Sequence, residues 1–329
     1  MPKNSADSAA VLINLGSPAA PTVPAVRAYL REFLGDPHVL TLPFPLRKLL
    51  LECVILPRRP KKSAERYAKI WTPAGAPLIA ETEKLRSRVN RILAEKFSGE
   101  SVAAPRVLAA MRYGEPSLKK AARELAAAGT QRVFAIPLYP QRAESSWDTA
   151  VACAKKAFKK FAPQIELKFA EPFFAAPRYI EALAGTVRRA LADKNFDKLL
   201  LSFHGVPVAT AGAARYREQC AATTEALVAA LKIPRERCEL VFQSHFGPGK
   251  WLEPATAARL RALPSEGARR VAIAAPGFTA DCLETLEELA VVGKTEFLSA
   301  GGEEFFFIPC LNDDPAFAEF LAAEIRAHL

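Results

Sequence analysis

The sequence predicts an α/β protein in which parallel β-sheets carry helices on both faces. Short apolar segments of strand length alternate along the chain with longer segments of helical periodicity, and this alternation is typical of parallel sheets. The predicted strands are 10–15, 106–111, 132–136, 166–170, 198–203, 239–243, 271–275 and 304–308. The predicted helices include 76–97, 117–128, 145–161, 177–192, 209–231, 254–262 and 315–329.

Eight strands are enough for one closed barrel or for two open sheets. We favour two similar halves that meet near residue 160, which makes the domains 1–160 and 161–314. The last helix, 315–329, is expected to pack back on the first half. A chain of 329 residues suits either one large domain or two of ordinary size.

The first half opens with an apolar run that we interpret as a strand. The run from Ala9 to Leu15 ends at Gly16-Ser17-Pro18, which favours a strand and a turn over a secretory signal peptide. The segment 38–62 is rich in leucine and proline and contains the basic cluster Arg58-Arg59-Pro60-Lys61-Lys62. This pattern fits a buried core helix, and it equally fits an apolar stripe that lies on a membrane surface.

An apolar strand in the second half leads directly to a histidine. The run 199–203 is followed by His204, Gly205, Val206 and Pro207. Ligand sites of open α/β sheets lie outside the carboxyl ends of such strands. A histidine at this position exchanges protons near neutral pH or binds a metal, and a polar residue that only closes the strand gives the same pattern.

Another strand of the second half leads to acidic residues at the start of a helix. The strand 271–275 is followed by a Pro276-Gly277 turn and then by Asp281, Glu284 and Glu288. Glu284 and Glu288 are four residues apart and share a helix face, and Asp281 lies one turn earlier. A cation bound among these carboxylates fits the spacing, and a capping box formed by Asp281 and Glu284 fits it as well.

Seven sequence blocks taken together resemble one protein family. They lie at 12–18 (LINLGSP), 111–117 (MRYGEPS), 137–141 (PLYPQ), 201–207 (LSFHGVP), 242–256 (FQSHFGPGKWLEPAT), 276–289 (PGFTADCLETLEEL) and 301–313 (GGEEFFFIPCLND). In this order, and over nearly the whole chain, they are similar to ferrochelatases, which insert ferrous iron into protoporphyrin IX to complete haem biosynthesis. The resemblance implies two Rossmann-like domains with the active site in the cleft between them, and it makes 38–62 one lip of that cleft.

The resemblance assigns the catalytic and metal-contacting roles to His204 and Glu284. Metal insertion displaces two pyrrole protons, so the site needs a base, and both imidazole and carboxylate suit ferrous iron as ligands. His204 is expected to accept a proton and contact the metal. Glu284 is expected to contact the metal and accept the second proton. Asp281 and Glu288 would extend an acidic route for the arriving metal.

Porphyrin contacts are expected from four further positions, namely Leu15, Arg112, Tyr113 and Trp251. Leu15 stands where the coproporphyrin-using branch of the family tends to have tyrosine, which favours protoporphyrin as the substrate. Cys282 stands where many members have histidine, so we expect no third imidazole ligand from this helix. Val292 stands where some members extend the acidic row. His245 replaces a common arginine, and its role is open, with a surface residue or a residue that supports the site as the two expectations.

Charge and composition limit the possible partners. The net charge of +10 suggests an acidic partner, and both porphyrin propionates and an anionic membrane surface suit it. Nucleic acid is not expected, because the lysines at 155, 156, 159 and 160 recur at helical spacing without interleaved aromatic residues. No run of about 18 apolar residues predicts a transmembrane helix, and no Gly-x-Gly-x-x-Gly follows a strand.

Cysteine usage points to a reducing cytoplasm, and the apolar and basic 38–62 segment fits peripheral contact with the inner face of the cell membrane. The six cysteines are scattered and form no Cys-x-x-Cys pair. We therefore expect no tightly bound cofactor and no iron–sulfur cluster, with ferrous iron present only as a substrate. Two alternatives stay open: a related chelatase that inserts cobalt or nickel into another tetrapyrrole, and a non-catalytic tetrapyrrole carrier, which would not need both His204 and Glu284.

Overall fold

The computed structural model describes residues 7–100, 103–245, 247 and 249–329, which form two compact units. The first unit contains the residues through Leu138 together with Glu144–Glu171 and Ala318–Leu329. The second contains Tyr139–Ala143 and Pro172–Phe317.

The first unit is built on a parallel sheet of four strands. They are β1 Ser8–Asn14, β2 Arg106–Met111, β3 Arg132–Pro137 and β4 Glu166–Phe169. Their order across the sheet is β2-β1-β3-β4, and β1 is buried from Ala9 onward, as a strand covered on both faces requires. The helices of this unit are α1 Val23–Gly35, α2 Phe44–Leu50, α3 Leu56–Ile70, α4 Pro77–Lys96, α5 Leu118–Ala127 and α6 Thr149–Phe161.

The second unit also has a parallel sheet of four strands flanked by helices. The strands are β5 Lys198–His204, β6 Cys238–Gln243, β7 Arg270–Ala274 and β8 Glu304–Phe307, in the order β6-β5-β7-β8. The helices are α7 Pro177–Ala190, α8 Ala213–Leu231, α9 Thr256–Ala262, the π-helix Glu284–Gly293 and α10 Lys294–Ser299. The last helix of the chain is α11 Pro315–His328.

All eight predicted strands are confirmed, and each observed end lies within two residues of the predicted one. The strands form two open sheets and not one closed barrel. The predicted helix 145–161 begins instead with a π-helical turn at Glu144–Asp148, and α6 follows it.

The first unit extends beyond the division that we placed near residue 160. Strand β4 pairs in parallel with β3, so it completes the first sheet, and the unit ends at Glu171. Most of α11 also belongs to the first unit. Lys96 forms an ion pair with Glu319 at 2.7 Å, and the His328 ring stacks on Phe134 with the ring centroids 4.4 Å apart.

The 38–62 segment divides between core and surface. It contains α2, a π-helical turn at Leu51–Ile55 and the start of α3. Leu51, Ile55 and Leu56 are buried, whereas Phe44 is 66% exposed. The other exposed large apolar side chains of this segment are Leu42, Leu46, Leu49 and Val54. Among the described helices, none is both long enough and apolar enough to cross a membrane.

Candidate active site

His204 ends strand β5 and lies half-buried at the carboxyl edge of the second sheet. Its Nδ1 is 2.6 Å from the carbonyl oxygen of Gly205. Because a carbonyl oxygen only accepts hydrogen bonds, Nδ1 carries a proton in this bond and Nε2 does not take part in it. The Tyr216 hydroxyl donates to the His204 carbonyl at 2.9 Å and holds the main chain there. His204 therefore has one ring nitrogen left for a proton or a metal.

The position after His204 requires glycine. A Cβ on Gly205 would lie 2.8 Å from the Gln243 carbonyl oxygen and 3.2 Å from the His245 ring. The Gly205 N–H donates to the same Gln243 oxygen at 2.8 Å. This close approach keeps the ends of β5 and β6 together, and with them His204 and its register partner Gln243.

Glu284 and Glu288 lie on the first part of the π-helix Glu284–Gly293. A π-helix closes each turn with an i→i+5 hydrogen bond, so residues four apart stay close to one face, and such turns occur frequently at functional sites. Both glutamates are half-buried. The charges of Glu284 and His204 both act on the pKa of Glu288, so the three side chains form one electrostatic group.

Glu288 is held by the residue that follows β6. Ser244 donates its backbone N–H to Oε1 at 2.7 Å and its hydroxyl to Oε2 at 2.8 Å. Burial raises the pKa of the Glu288 carboxyl, and the charge of Glu284 raises it further, while the Ser244 hydrogen bonds and His204 act against them. The net result is a raised pKa, so Glu288 holds a proton more readily than an ordinary glutamate. Among the described residues, no three His, Cys, Asp or Glu side chains gather into a metal-binding cluster.

Asp281 lies buried in the loop before the π-helix, and both oxygens of its carboxyl group accept hydrogen bonds. It is 6% exposed. Its Oδ1 accepts from the Thr285 hydroxyl at 2.9 Å, and its Oδ2 accepts from the Asn312 amide at 2.7 Å. The capping box does not form, because the Asp281 N–H donates to Asn312 Oδ1 at 2.8 Å and not to Glu284.

A second polar cluster follows strand β2 in the first unit, centred on the buried carboxylate of Asp36. The Tyr113 hydroxyl donates to Asp36 Oδ2 at 2.8 Å, the Thr149 hydroxyl donates to the same oxygen at 2.5 Å, and Arg112 forms an ion pair with it. Burial alone would raise the pKa of Asp36, but the hydrogen bonds from Thr149, His38 and Tyr113 together hold it well below its usual range.

This cluster buries one of the predicted porphyrin contacts, Tyr113, and leaves Arg112 half-buried. Tyr113 is fully buried, and burial raises its pKa far above the usual range, so it supports Arg112 and offers no surface to a ligand. Arg112 is half-buried with its guanidinium 4.2 Å from the centre of the Tyr113 ring. Leu15, next to the Asn14 that ends β1, is also half-buried.

Trp251 lies beside the turn that follows His204, where a Cβ on Gly205 would be 3.4 Å from the indole ring. Pro207 and Trp251 form an antiparallel bridge, and the His245 ring stacks on the Trp251 ring with centroids 5.4 Å apart. His245 is exposed, and its ring covers the turn at Gly205. The ring of His245 thus contacts the indole of Trp251, and its role in the site stays a prediction.

Comparison with known proteins identifies the family. The ferrochelatase family model matches residues 7–329. The ferrochelatase of Dechloromonas aromatica (strain RCB) is 41% identical over 333 residues, which cover 99% of this chain and 89% of that protein. The ferrochelatase of Pseudomonas putida (strain W619) is 39% identical over 340 residues, which cover 96% of this chain and 98% of that protein. The chain belongs to the ferrochelatase family.

A solved structure supports the same fold for this ferrochelatase family member. SirB from Bacillus subtilis with Fe3+ aligns with a TM-score of 0.54 over 97% of this chain and 94% of that one. The sequence identity is 9%, so the likeness concerns the fold alone.

Each unit of this ferrochelatase family member also contains polar contacts that the sequence did not single out. Asp36 holds Arg112 and Tyr113, and Gln243 and Ser244 contact the π-helix. Gln243 and Ser244 fall inside one of the seven blocks, which was the available signal for them. Asp36 gave no such signal, because its partners Tyr113 and Thr149 lie 77 and 113 residues away.

Proposed function

We propose that this chain inserts ferrous iron into protoporphyrin IX, yielding protohaem and two protons. The observation that carries the proposal is the grouping of His204, whose Nδ1 is bonded to the Gly205 carbonyl, with Glu284 and Glu288, whose carboxyl group interacts electrostatically with both. Family membership supports the same reaction. The enzyme is thus a metal-chelating lyase, and iron is its substrate.

His204 is proposed to take the first pyrrole proton. Its Nδ1–H is already bonded to the Gly205 carbonyl, so a proton arriving at Nε2 gives an imidazolium that keeps this bond. The carboxylates of Glu284 and Glu288 then stabilise the positive charge. The Gly205 bond fixes the ring orientation, because rotation of the imidazole would break it.

Glu284 is proposed to contact the metal and to accept the second proton. Glu288 lies four residues further along the π-helix, and both oxygens of its carboxyl group already accept hydrogen bonds from Ser244. A divalent ion that approaches the two glutamates removes their mutual repulsion, which favours its arrival before it enters the ring. Leu15, Arg112 and Trp251 remain the proposed porphyrin contacts, and Tyr113 serves them by holding Arg112.

The proposed reaction is tested by following porphyrin fluorescence with ferrous iron under anaerobic conditions. We expect enzyme-dependent loss of free protoporphyrin IX and appearance of haem absorbance. Sirohydrochlorin with cobalt or nickel is the comparison substrate, and faster turnover of that pair would identify a different chelatase. Stoichiometric porphyrin binding without consumption would identify a carrier and refute the enzyme.

We further propose that the 38–62 segment contacts anionic membranes peripherally. Its exposed apolar side chains lie on and beside α2, and Lys48, Arg58, Lys61 and Lys62 are exposed in the same segment. Apolar groups that enter the interface and cations that attract anionic headgroups are the two components of such binding. Each basic residue near an anionic surface contributes about 1 kcal/mol.

Vesicle flotation with phosphatidylserine-containing liposomes tests this contact. Replacing Arg58, Lys61 and Lys62 together with glutamine removes about 3 kcal/mol and lowers partitioning by roughly a hundredfold. The matched control replaces three exposed lysines of α6, namely Lys155, Lys159 and Lys160, and should float like the wild type. Equal recovery of all three proteins in the unbound fraction would rule out the membrane contact.

A further inference from the structure

Gln243 is a buried polar residue at the point where the two elements of the candidate site meet. It is the last residue of β6, it is 2% exposed, and it is the register partner of His204 on β5. Its Nε2 donates to the main-chain carbonyl of Glu284 at 2.7 Å. One side chain therefore connects the strand that ends in His204 to the first residue of the π-helix.

A chain of hydroxyl groups fixes the orientation of the Gln243 amide. The Ser202 hydroxyl donates to Gln243 Oε1 at 2.8 Å, and Ser202 Oγ lies 2.8 Å from the Thr256 hydroxyl. Because the single proton of Ser202 points to Gln243, Thr256 is the donor to Ser202. Ser202 and Thr256 are 0% and 3% exposed, so water does not compete for these bonds. With its oxygen occupied in this way, Gln243 can only direct its N–H toward Glu284.

The residue after Gln243 holds the other glutamate. Ser244 has a φ of 64°, and this left-handed turn accompanies its two hydrogen bonds to Glu288, one from the backbone and one from the side chain. Consecutive residues at the end of β6 therefore contact both of the half-buried glutamates of the π-helix. The first acts on the main chain of Glu284, and the second acts on the carboxylate of Glu288.

We propose that Gln243 is a positioning residue for metal insertion, which sets the placement of Glu284 relative to His204 through the Thr256–Ser202–Gln243 chain. This inference rests on the proposed function. The Gln243 amide N–H bonds to the main chain of Glu284 and not to its carboxyl group, so it adjusts where that group lies without occupying it. A misplacement of about 1 Å is enough to cost roughly a hundredfold in rate.

The expected signature is a loss of kcat with an unchanged KM for porphyrin. Gln243→Met keeps the length of the side chain but removes both hydrogen bonds, and we expect kcat to fall by about tenfold to a hundredfold. Thr256→Val removes only the hydroxyl at the far end of this series of hydrogen bonds, and we expect kcat to fall by about threefold to tenfold. Thr256→Ser keeps the hydroxyl, and we expect it to recover most of that rate.

The control for hydroxyl removal is Thr224→Val on α8. Thr224 is fully buried, and its hydroxyl donates within its own helix to the Cys220 carbonyl at 2.9 Å. Like Thr256→Val, this variant therefore loses one buried hydroxyl and one hydrogen bond, but at a position away from the π-helix. Steady-state insertion of ferrous iron into protoporphyrin is measured for all variants, together with their melting temperatures.

Three results would overturn the inference while the wild type remains active: a normal kcat in Gln243→Met, equal losses in Thr256→Val and Thr224→Val, or failure of Thr256→Ser to recover activity. The Thr256 variants decide the question if Gln243→Met does not fold. An inactive wild type would instead refute the proposed function itself, so the two failures are distinguishable.

Discussion

Replacing Glu284 with glutamine separates a catalytic role from a role in starting the helix. Glutamine has nearly the same shape and could still cap a helix, since a capping box accepts either residue. In this structure the Asp281 N–H is already bonded to Asn312 Oδ1 at 2.8 Å, so Glu284 has no capping bond to lose there. The substitution therefore removes a charge and a base, while the amide oxygen of glutamine can still accept the hydrogen bond from the Cys282 thiol.

The expected effect on stability is small and the expected effect on rate is large. Glu284 is half-buried, and removing its charge also relieves repulsion with Glu288, so the free energy of unfolding should change by no more than about 0.5 kcal/mol. Losing a positioned general base lowers kcat by at least about a hundredfold. His204→Ala should behave in the same way, and the double variant should be little slower than either single one, because groups that act as a unit are not additive.

The assay measures porphyrin fluorescence in the presence of ferrous iron, with porphyrin affinity and melting temperature determined for each variant. We expect Glu284→Gln to bind porphyrin with wild-type affinity and to melt within a few degrees of the wild type. Near-normal turnover by a correctly folded Glu284→Gln protein would remove Glu284 from the mechanism. A hundredfold loss accompanied by a large fall in melting temperature would also refute the reasoning.

Three further predictions concern stability and composition. Asp36→Asn should lower the free energy of unfolding near neutral pH by about 3–5 kcal/mol, because Arg112 stays buried without its carboxylate partner. The difference in free energy of unfolding between wild type and variant, measured by urea unfolding, should become smaller below pH about 4. The pKa of Asp36 is lowered in the folded protein, so the stability that its carboxylate contributes is lost as the pH falls. Gly16→Ala should cost about 2 kcal/mol or more in the same assay, because φ is +103° and the new methyl group would lie 1.9 Å from the Tyr113 carbonyl oxygen. Anaerobically purified protein should contain no acid-labile sulfide, because clusters need gathered cysteine thiolates; stoichiometric sulfide would contradict this.

The strands and the catalytic candidates could be predicted because their signals are local. An apolar run such as 199–203 predicts a strand that is buried on both faces, and the residue that ends it must lie at the carboxyl edge where ligands bind. The spacing of Glu284 and Glu288 likewise predicts a shared helix face. Both inferences use only neighbouring residues, and family resemblance then supplied the roles.

The remaining features could not be predicted because they depend on distant partners. The spacing after residue 281 predicts a helix but does not distinguish i→i+4 from i→i+5 hydrogen bonds, so the π-helix was not foreseen. The sequence places Asp281 in an acidic row, but it does not show that the amide of Asn312, 31 residues later, donates to the Asp281 carboxyl group. The sequence likewise predicts Tyr113 as a ligand contact, but it does not show that the Tyr113 hydroxyl donates to the buried carboxylate of Asp36.

The alternation of side chains along a strand explains why Ser202, His204 and Gln243 lie on the same face of the second sheet. Ser202 and His204 are two residues apart on β5, so they lie on one face of the sheet, and Gln243 lies opposite His204 on the neighbouring strand. The same face therefore presents the proposed base, the amide that contacts the Glu284 carbonyl and the hydroxyl that orients this amide. A change at Ser202 would leave the Gln243 amide free to turn, so in a related chain we expect a substitution at one of these two positions to be accompanied by a substitution at the other.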